Sequence, residues 1–454
     1  MQETVRAFVP PRIEPNPLAT GPIGFLRAMI SNPVTAIPEA AYREPVAFTS
    51  VAGQTVVHIC DPNIIAEILI RRHEDFRKTI IEERVLGPAL GKGLLTAEGD
   101  DWRWKRRLTA PHFTPAALAA YLPNIVEPFE VLAKEWSAAE ADTDISPGAT
   151  KATMEVINRV VFGRKHAAAA EQIPQNVADY LASYSWVFSL AVMHLPAWTP
   201  HPGRMKLLRS RTQARETIGR IVRASRQEAE GGGDICSLLI AARDPDTGRT
   251  LSDEDLVDML LTLITAGHDT SATALTWGLY CLAMQPELQD RLRAEVREVV
   301  GDRAIEAPDL ARLVQLQATI NETMRLFPPA PIMARQNVKP ETIAGKELPP
   351  GTSIFMPMYA LHRNELLWER PGEFDIDRFM GANAKQIKRT AYMPFGAGPH
   401  ICVGGAFSIM ELTAGLATLL RQIRFEPSDA TTFEPVHRIT LKPRNEMFLS
   451  TRPV

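Results

Sequence analysis

Apolar and polar positions change their period several times along the 454-residue chain. In "EPVAFTSVAGQTVVHICDP" they alternate on either side of Gly53, which predicts two short strands joined by a turn. From Asp61 to about Phe327 the period becomes helical, with long Ala, Leu, Arg and Glu segments and few breakers. The longest such segment is "LSDEDLVDMLLTLITAGHDTSATALTWGLYCLAM". Ser252 and Asp255 form a capping box at its start, and Pro286 lies just past its end. After "LFPPAP" turn residues and β-branched residues return, as in "IAGKELPPGTSIFMPMYA". A loop-rich run then leads to Cys402, a further helix ends near Leu420, and the last thirty residues read as strands. The first forty residues, rich in proline, predict an extended arm, and the glycines at 231–233 a flexible surface loop. No internal repeat is present. The expected fold class is mainly α with a minor β-sheet portion.

Composition changes this picture little. Apolar residues make up 45% and charged residues 23%, the balance of a soluble globular enzyme. A net charge of −3 gives no bias toward nucleic acid or an anionic membrane. The N-terminus lacks the basic start and apolar block of a signal peptide, and no run of ~20 apolar residues is present to span a membrane. The expectation is a cytoplasmic protein without a membrane anchor. Cys60, Cys236, Cys281 and Cys402 are widely spread, without the clustering that zinc requires, and the missing export signal argues against disulfides.

One cysteine stands in unusual company, in "FGAGPHICVGG", residues 395–405. Several glycines together forfeit much conformational entropy, which implies a close approach to the backbone by something other than the polypeptide itself. Two readings of Cys402 are open. It is a small buried hydrophobe in a glycine turn, the commonest fate of a free cysteine. Or it is a thiolate that holds a haem iron from one side. In the second case Gly396, Gly398 and Gly404 let the loop pass close under a flat cofactor with amides turned toward the sulfur. Phe395 shields that sulfur, and the helix starting at "AFSIMELTAGLATLL" favours the thiolate through its N-terminal dipole.

The order Phe-Gly-x-Gly-x-His-x-Cys-x-Gly resembles the cysteine-ligand loop of the haem-thiolate monooxygenases, the cytochrome P-450 superfamily. The resemblance runs from about residue 40 to the C-terminus and extends to four further places. The first is "AGHDTSA" in the long helix. The Thr270 hydroxyl is placed to bond the Ala266 carbonyl and open a groove beside Gly267, and the resemblance makes Asp269 and Thr270 the acid and alcohol that deliver protons. The second is "NETMRLFPP". A lone i, i+3 ion pair contributes only ~0.2–0.5 kcal/mol on a surface, but the resemblance makes Glu322, Arg325 and Arg378 of "FDIDRF" a buried structural network behind the cysteine loop. Ile376 stands in that segment where proline is usual. The third is "DDWRWKRRLTAPHF", in which Trp102 and Arg106 share a helix face suited to a pair of carboxylates. The resemblance assigns them to the haem propionates, with Arg335 and His400 as further candidates, although arginine is more usual at 400. Arg103, Lys105 and Arg107 read as a solvated basic face. The fourth, "LHRNELLWERPGEF", is weak alone and falls where the family segment leading to the cysteine loop belongs.

The resemblance implies a single haem domain over residues 41–454, preceded by the 1–40 arm, with no fused reductase. It implies haem b with Cys402 as axial ligand, and a monooxygenase that hydroxylates or epoxidises a fatty acid, terpenoid, steroid or aromatic molecule. Leu95, Ala266, Ala330 and Ile332 are expected to line the substrate pocket. Electrons would come from a ferredoxin or flavodoxin with its reductase, docking on Arg103, Lys105 and Arg107 together with Lys385, Lys388 and Arg389, and the protein is expected to be a monomer. Two alternatives remain: a haem-thiolate peroxygenase or isomerase, disfavoured by the retained Thr270, and a haem-binding sensor without turnover.

Overall fold

The computed structural model describes residues 8–17, 22–51, 53–170, 172–173, 175–176, 179, 186–187, 190, 195–196, 198–228, 233–428 and 433–454. Residues 1–7 and 18–21 of the expected arm, and Gly231 and Gly232 of the triglycine run, lie outside these. The long apolar-periodic segment folds as one helix of 31 residues, Asp253–Ala283. Its first turn carries the expected reciprocal cap: the Asp255 N–H donates to Ser252 Oγ at 3.1 Å, and the Ser252 N–H donates to the Asp255 carboxylate at 3.2 Å. Pro286 opens the next helix, Pro286–Val299, at a position where its missing N–H leaves no bond unmade.

The chain divides into two compact units. The first comprises Met1–Arg77, Phe129–Ala149 and Thr270–Val454, and the second Lys78–Pro128 and Thr150–Asp269. All strands found among the described residues belong to the first unit. β1 (Val46–Val51) and β2 (Gln54–Ile59) form the expected hairpin, turned at Gly53 with a φ of +79°. β2 pairs in parallel with β8 (Ser353–Met356), aligning Val56 with Ser353. β8 pairs antiparallel with β5 (Met333–Asn337), and β3 (Phe76–Arg77) completes the order β1-β2-β8-β5-β3. A second sheet runs β4 (Thr143–Asp144), β12 (Phe448–Pro453), β9 (Ile423–Pro427). Two small hairpins pair β6 (Glu341–Ile343) with β7 (Lys346–Leu348) and β10 (Pro435–His437) with β11 (Leu441–Pro443). In the core of this unit Trp277 stacks on Phe327 at 4.0 Å and donates its Nε1–H to the Leu441 carbonyl at 2.6 Å. That bond is what permits so large a ring with a polar N–H to be fully buried.

The arm departs from expectation. Pro22–Ser31 is a helix, and 3₁₀ turns follow at Pro33–Ala36 and Glu39–Tyr42. Residues 8–16 are irregular but fastened: the Ile13 N–H donates to the Tyr359 hydroxyl at 2.8 Å, and the Phe374 N–H donates to the Phe8 carbonyl at 2.9 Å.

The second unit is built almost entirely from helices, among them Ile80–Leu90, Gly99–Thr109 and Arg204–Gln227. Arg204–Gln227 buries Leu207, Ala214, Ile218, Ile221 and Val222 at helical spacing and exposes Arg209, Arg211, Arg220, Arg223 and Arg226, while Arg215 turns in toward the buried Asp258. The part of Asp253–Ala283 that belongs here packs closely on Ile145–Ala170: a Cβ on Gly267 would stand 2.9 Å from Ile157 Cδ1. On that side the space beside Gly267 is taken by Ile157 and is not an open groove.

Candidate functional site

In the first unit, the loop around Cys402 owes its path to two glycines. Gly396 and Gly398 have φ of +76° and +74°, a region that L side chains disfavour. A Cβ at Gly398 would lie 1.9 Å from the Leu69 carbonyl oxygen, and one at Gly396 would lie 2.8 Å from the Met333 terminal methyl. On the Cβ side of both glycines the close neighbour is the polypeptide itself, a demand on Gly396 and Gly398 that the sequence reading did not foresee. Gly404 has an ordinary φ of −87° and caps the helix Gly405–Leu420. The Cys402 N–H donates to the Phe395 carbonyl at 2.9 Å, so the thiol is fixed three residues ahead of that helix. Phe395 and His400 are partly exposed. Of the four cysteines only Cys402 is exposed. Burial pushes the thiols of Cys60 and Cys236 up to about 12, and that of Cys281 well above its ordinary value.

Behind the loop, Glu322 and Arg325 are both fully buried on the helix Val314–Leu326. Arg325 donates from Nε and Nη2 to the Glu322 carboxylate at 2.6 and 2.7 Å. Its remaining donors reach the carbonyls of His362, Pro371 and Glu373, each at 2.8 Å. Arg378 completes the network with Nε 3.4 Å from Glu322, and the Asp375 N–H donates to the same carboxylate at 2.8 Å. Burial raises the Glu322 carboxyl against the pull of the two guanidinium groups.

Sequence reasoning missed His362, which ties this network to the cysteine loop. Burial lowers its imidazole to about 3, so the ring is neutral and its Nε2 accepts from the Met393 N–H at 3.1 Å. Met393 in turn accepts, through its carbonyl, from the Gly396 N–H at 2.9 Å. The only sequence signal was its place in the weak segment "LHRNELLWERPGEF". A second omission is Glu411 on Gly405–Leu420. It is 1% exposed, hydrogen-bonded to Ser271 beside Thr270, with Oε2 unpartnered, and burial pushes its carboxyl up to about 8.

Arg335 lies on β5, 8% exposed, with Nη1 donating to the Ala334 carbonyl at 2.7 Å. No carboxylate among the described residues pairs with it. Ala330 is exposed between two anchored carbonyls: that of Pro329 accepts from the Leu441 N–H at 3.1 Å and that of Pro331 from the Tyr359 N–H at 3.0 Å. Ile332 and Thr270 are partly exposed.

In the second unit, Trp102 is 8% exposed and Arg106 partly exposed, both on Gly99–Thr109 as expected. Of their basic neighbours, one corrects the sequence reading. Lys105, expected on a solvated face, is 1% exposed and pairs with Asp101 at 3.1 Å and Asp255 at 3.0 Å. Arg107 pairs with the buried Asp244 at 2.7 Å, and Arg103 pairs with Asp100 at 2.7 Å. All three cations pair with acids of their own unit; Arg103 and Arg107 are exposed as expected, and burial removes Lys105 alone from the solvated face. Lys385, Lys388 and Arg389, in the first unit, are exposed. Leu95 is 44% exposed, Ala266 is exposed and Asp269 partly exposed.

A family model described as Cytochrome P450 matches residues 35–449. Cyclooctatin synthase of Streptomyces melanosporofaciens is 31% identical over 87% of this chain and 84% of its own length. Cyclooctat-9-en-7-ol 5-monooxygenase of the same organism is 29% identical, covering 82% of this chain and 81% of its own. The crystal structure of the cytochrome P450DA heme domain superposes with a TM-score of 0.86 over 98% of both chains at 24% identity, a likeness of fold. Among the described residues no helix is long and apolar enough to cross a membrane.

Proposed function

The chain belongs to the cytochrome P450 family and is an oxidoreductase of its monooxygenase kind; from that premise we propose that Cys402 is the axial thiolate of a b-type haem and that the enzyme hydroxylates or epoxidises a hydrophobic small molecule. The observation that carries this reading is the position of Cys402, an exposed thiol at the N-terminal end of Gly405–Leu420 in a chain whose other cysteines are buried. The helix end stabilises the thiolate, the form that ligates a metal.

Arg335 supports the same reading independently. A buried guanidinium persists only when its charge is met, and a haem propionate is an anion of suitable chemistry. Trp102, Arg106 and His400 are its proposed companions in holding the two propionates. When bound, the haem supplies the centre at which dioxygen is activated. To Asp269 and Thr270, adjacent in the sequence and both partly exposed, the proposal assigns the transfer of protons from water to the reacting centre, Asp269 as acid and Thr270 as alcohol. Leu95, Ala266, Ala330 and Ile332 offer carbon surface, which selects a guest made mostly of hydrocarbon and expels water as that guest enters. Cyclooctat-9-en-7-ol, from the name of one relative, is the first compound to try. Electrons come from a ferredoxin or flavodoxin with its reductase, for which Lys385, Lys388 and Arg389, and likewise the exposed Arg103 and Arg107, offer cationic surface.

The test is the absorption spectrum of the dithionite-reduced protein with and without carbon monoxide. A strongly red-shifted Soret band, lost in Cys402→Ser, is expected, and its absence from haem-supplied protein would refute the proposal. In Thr270→Ala, dioxygen-driven turnover should lose coupling to product, and unaltered coupling would favour the peroxygenase reading.

A further inference from the structure

Both backbone polar groups of Lys92, in the loop between Ile80–Leu90 and Gly99–Thr109, are held by buried charged side chains. Its N–H donates to Asp258 Oδ2 at 2.7 Å, and its carbonyl accepts from Lys105 Nζ at 2.7 Å. Asp258 is 5% exposed and accepts on its other oxygen from Arg215 Nη1 of Arg204–Gln227 at 2.6 Å. The flanking glycines are as tightly placed. A Cβ on Gly91, whose φ is +58°, would lie 2.1 Å from the Asp258 carboxylate, and one on Gly93 would lie 1.9 Å from Thr262 Oγ1. The loop thus lies on the long helix with Gly91 level with residue 258 and Gly93 level with residue 262, one turn further on. Ala266 follows on the same stripe, and two residues beyond Gly93 the chain reaches Leu95.

The closing contacts hold the loop at its far end. Thr96 Oγ1 donates to the Gly91 carbonyl at 2.7 Å and Lys78 Nζ to the Ala97 carbonyl at 2.7 Å. Yet Leu95 is left 44% exposed between Leu94 at 9% and Ala97 at 4%. Burying a leucine is worth ~1.5–3 kcal/mol, and buried charges carry a desolvation cost. A loop built for stability alone would cover Leu95 and need no charges beneath it. This one holds an apolar side chain out on a rigid base.

We propose that Asp258 and Lys105 grip Lys92 so as to set where Leu95 meets the substrate, and that Arg215 makes this setting depend on the helix Arg204–Gln227. The identity of the guest rests on the haem monooxygenase reading; the grip does not. Asp258 is a positioning residue, acting through Leu95.

The experiment compares Asp258→Ala, Leu95→Ala and their double variant in the full chain. Amide exchange over residues 91–97 is followed by mass spectrometry, and the affinity for 4-phenylimidazole by its spectral shift. Asp258→Ala should speed exchange and weaken the azole, each about tenfold, with the reduced carbon monoxide band at full amplitude. Leu95→Ala should weaken the azole equally with exchange unchanged, and the double variant should be no weaker than the worse single one. If Asp258→Ala does not fold, Arg215→Gln should show both effects in part. Faster exchange with unaltered azole affinity would reduce the grip to a stabilising contact and overturn the proposal, as would unaltered exchange. No carbon monoxide band in the unchanged protein would overturn the haem reading and the guest half of this proposal together; with the band present, the other outcomes decide it.

Discussion

Replacing Gly398 with alanine asks the cysteine loop to admit a carbon 1.9 Å from the Leu69 carbonyl oxygen and 2.8 Å from its carbon. Gly396 is the matched control. Its φ is nearly the same, +76° against +74°, so both alanine variants carry the same left-handed strain of ~1–2 kcal/mol. They differ in what is struck. At 396 the obstacle is the end of the Met333 side chain, 2.8 Å away, which can swing aside. At 398 it is main chain, within the helical turn Glu67–Arg71, and relief requires moving either that turn or the cysteine loop. Overpacking of this kind costs ~1–3 kcal/mol, so Gly398→Ala should be less stable than Gly396→Ala by about 2 kcal/mol. Urea unfolding of both variants without haem measures that difference. With haem supplied, the reduced carbon monoxide band should fall in Gly398→Ala and persist in Gly396→Ala. Stabilities equal within about 0.5 kcal/mol, or equal carbon monoxide bands, would refute the reasoning that Leu69 sets the loop.

Two further outcomes follow from the buried carboxyls. Glu322→Ala leaves Arg325 buried with three carbonyls and no counter-charge, a change expected to cost ~3–5 kcal/mol; a loss below about 1 kcal/mol in urea unfolding would mean the pair behaves like a surface one. Glu411 titrates near 8 when folded and near 4.5 when unfolded, so between those values the folded chain holds the extra proton and stability falls as pH rises. Relative to Glu411→Gln, the unchanged protein should lose up to about 1.4 kcal/mol per pH unit across that window; parallel melting curves from pH 5 to 8 would disprove it.

The residues legible in the sequence are those whose partners are near in the chain or whose chemistry is rare. Glu322 and Arg325 stand three apart on a helix that is otherwise largely buried, and Cys402 sits among turn-forming glycines, so both could be read without a structure. Lys105 could not. Within "WRWKRR" it looks like its neighbours, and its burial is decided by Asp255, 150 residues away. His362 failed for the same reason, since the Met393 N–H it accepts from is not local in sequence. The helix Pro22–Ser31 was obscured by the prolines around it, although Pro22 itself occupies a helix-starting position. Gly398 was correctly singled out as a place of close approach, and only what approaches it required coordinates.

The parallel pairing of β2 with β8 sets a timetable for the newborn chain. Val56 meets Ser353 only after about 300 further residues have been made, which at ~5–20 residues per second takes roughly 15 to 60 seconds on the ribosome. Over that interval the β1–β2 hairpin presents an unpaired edge, the kind of surface that chaperones and aggregates both recognise. The second unit, complete by Asp269, is free to fold well before the first. Cys402 emerges later still, so whatever it binds is captured only after β2 and β8 have both been made and can help draw the early hairpin and the late strands into one folded unit.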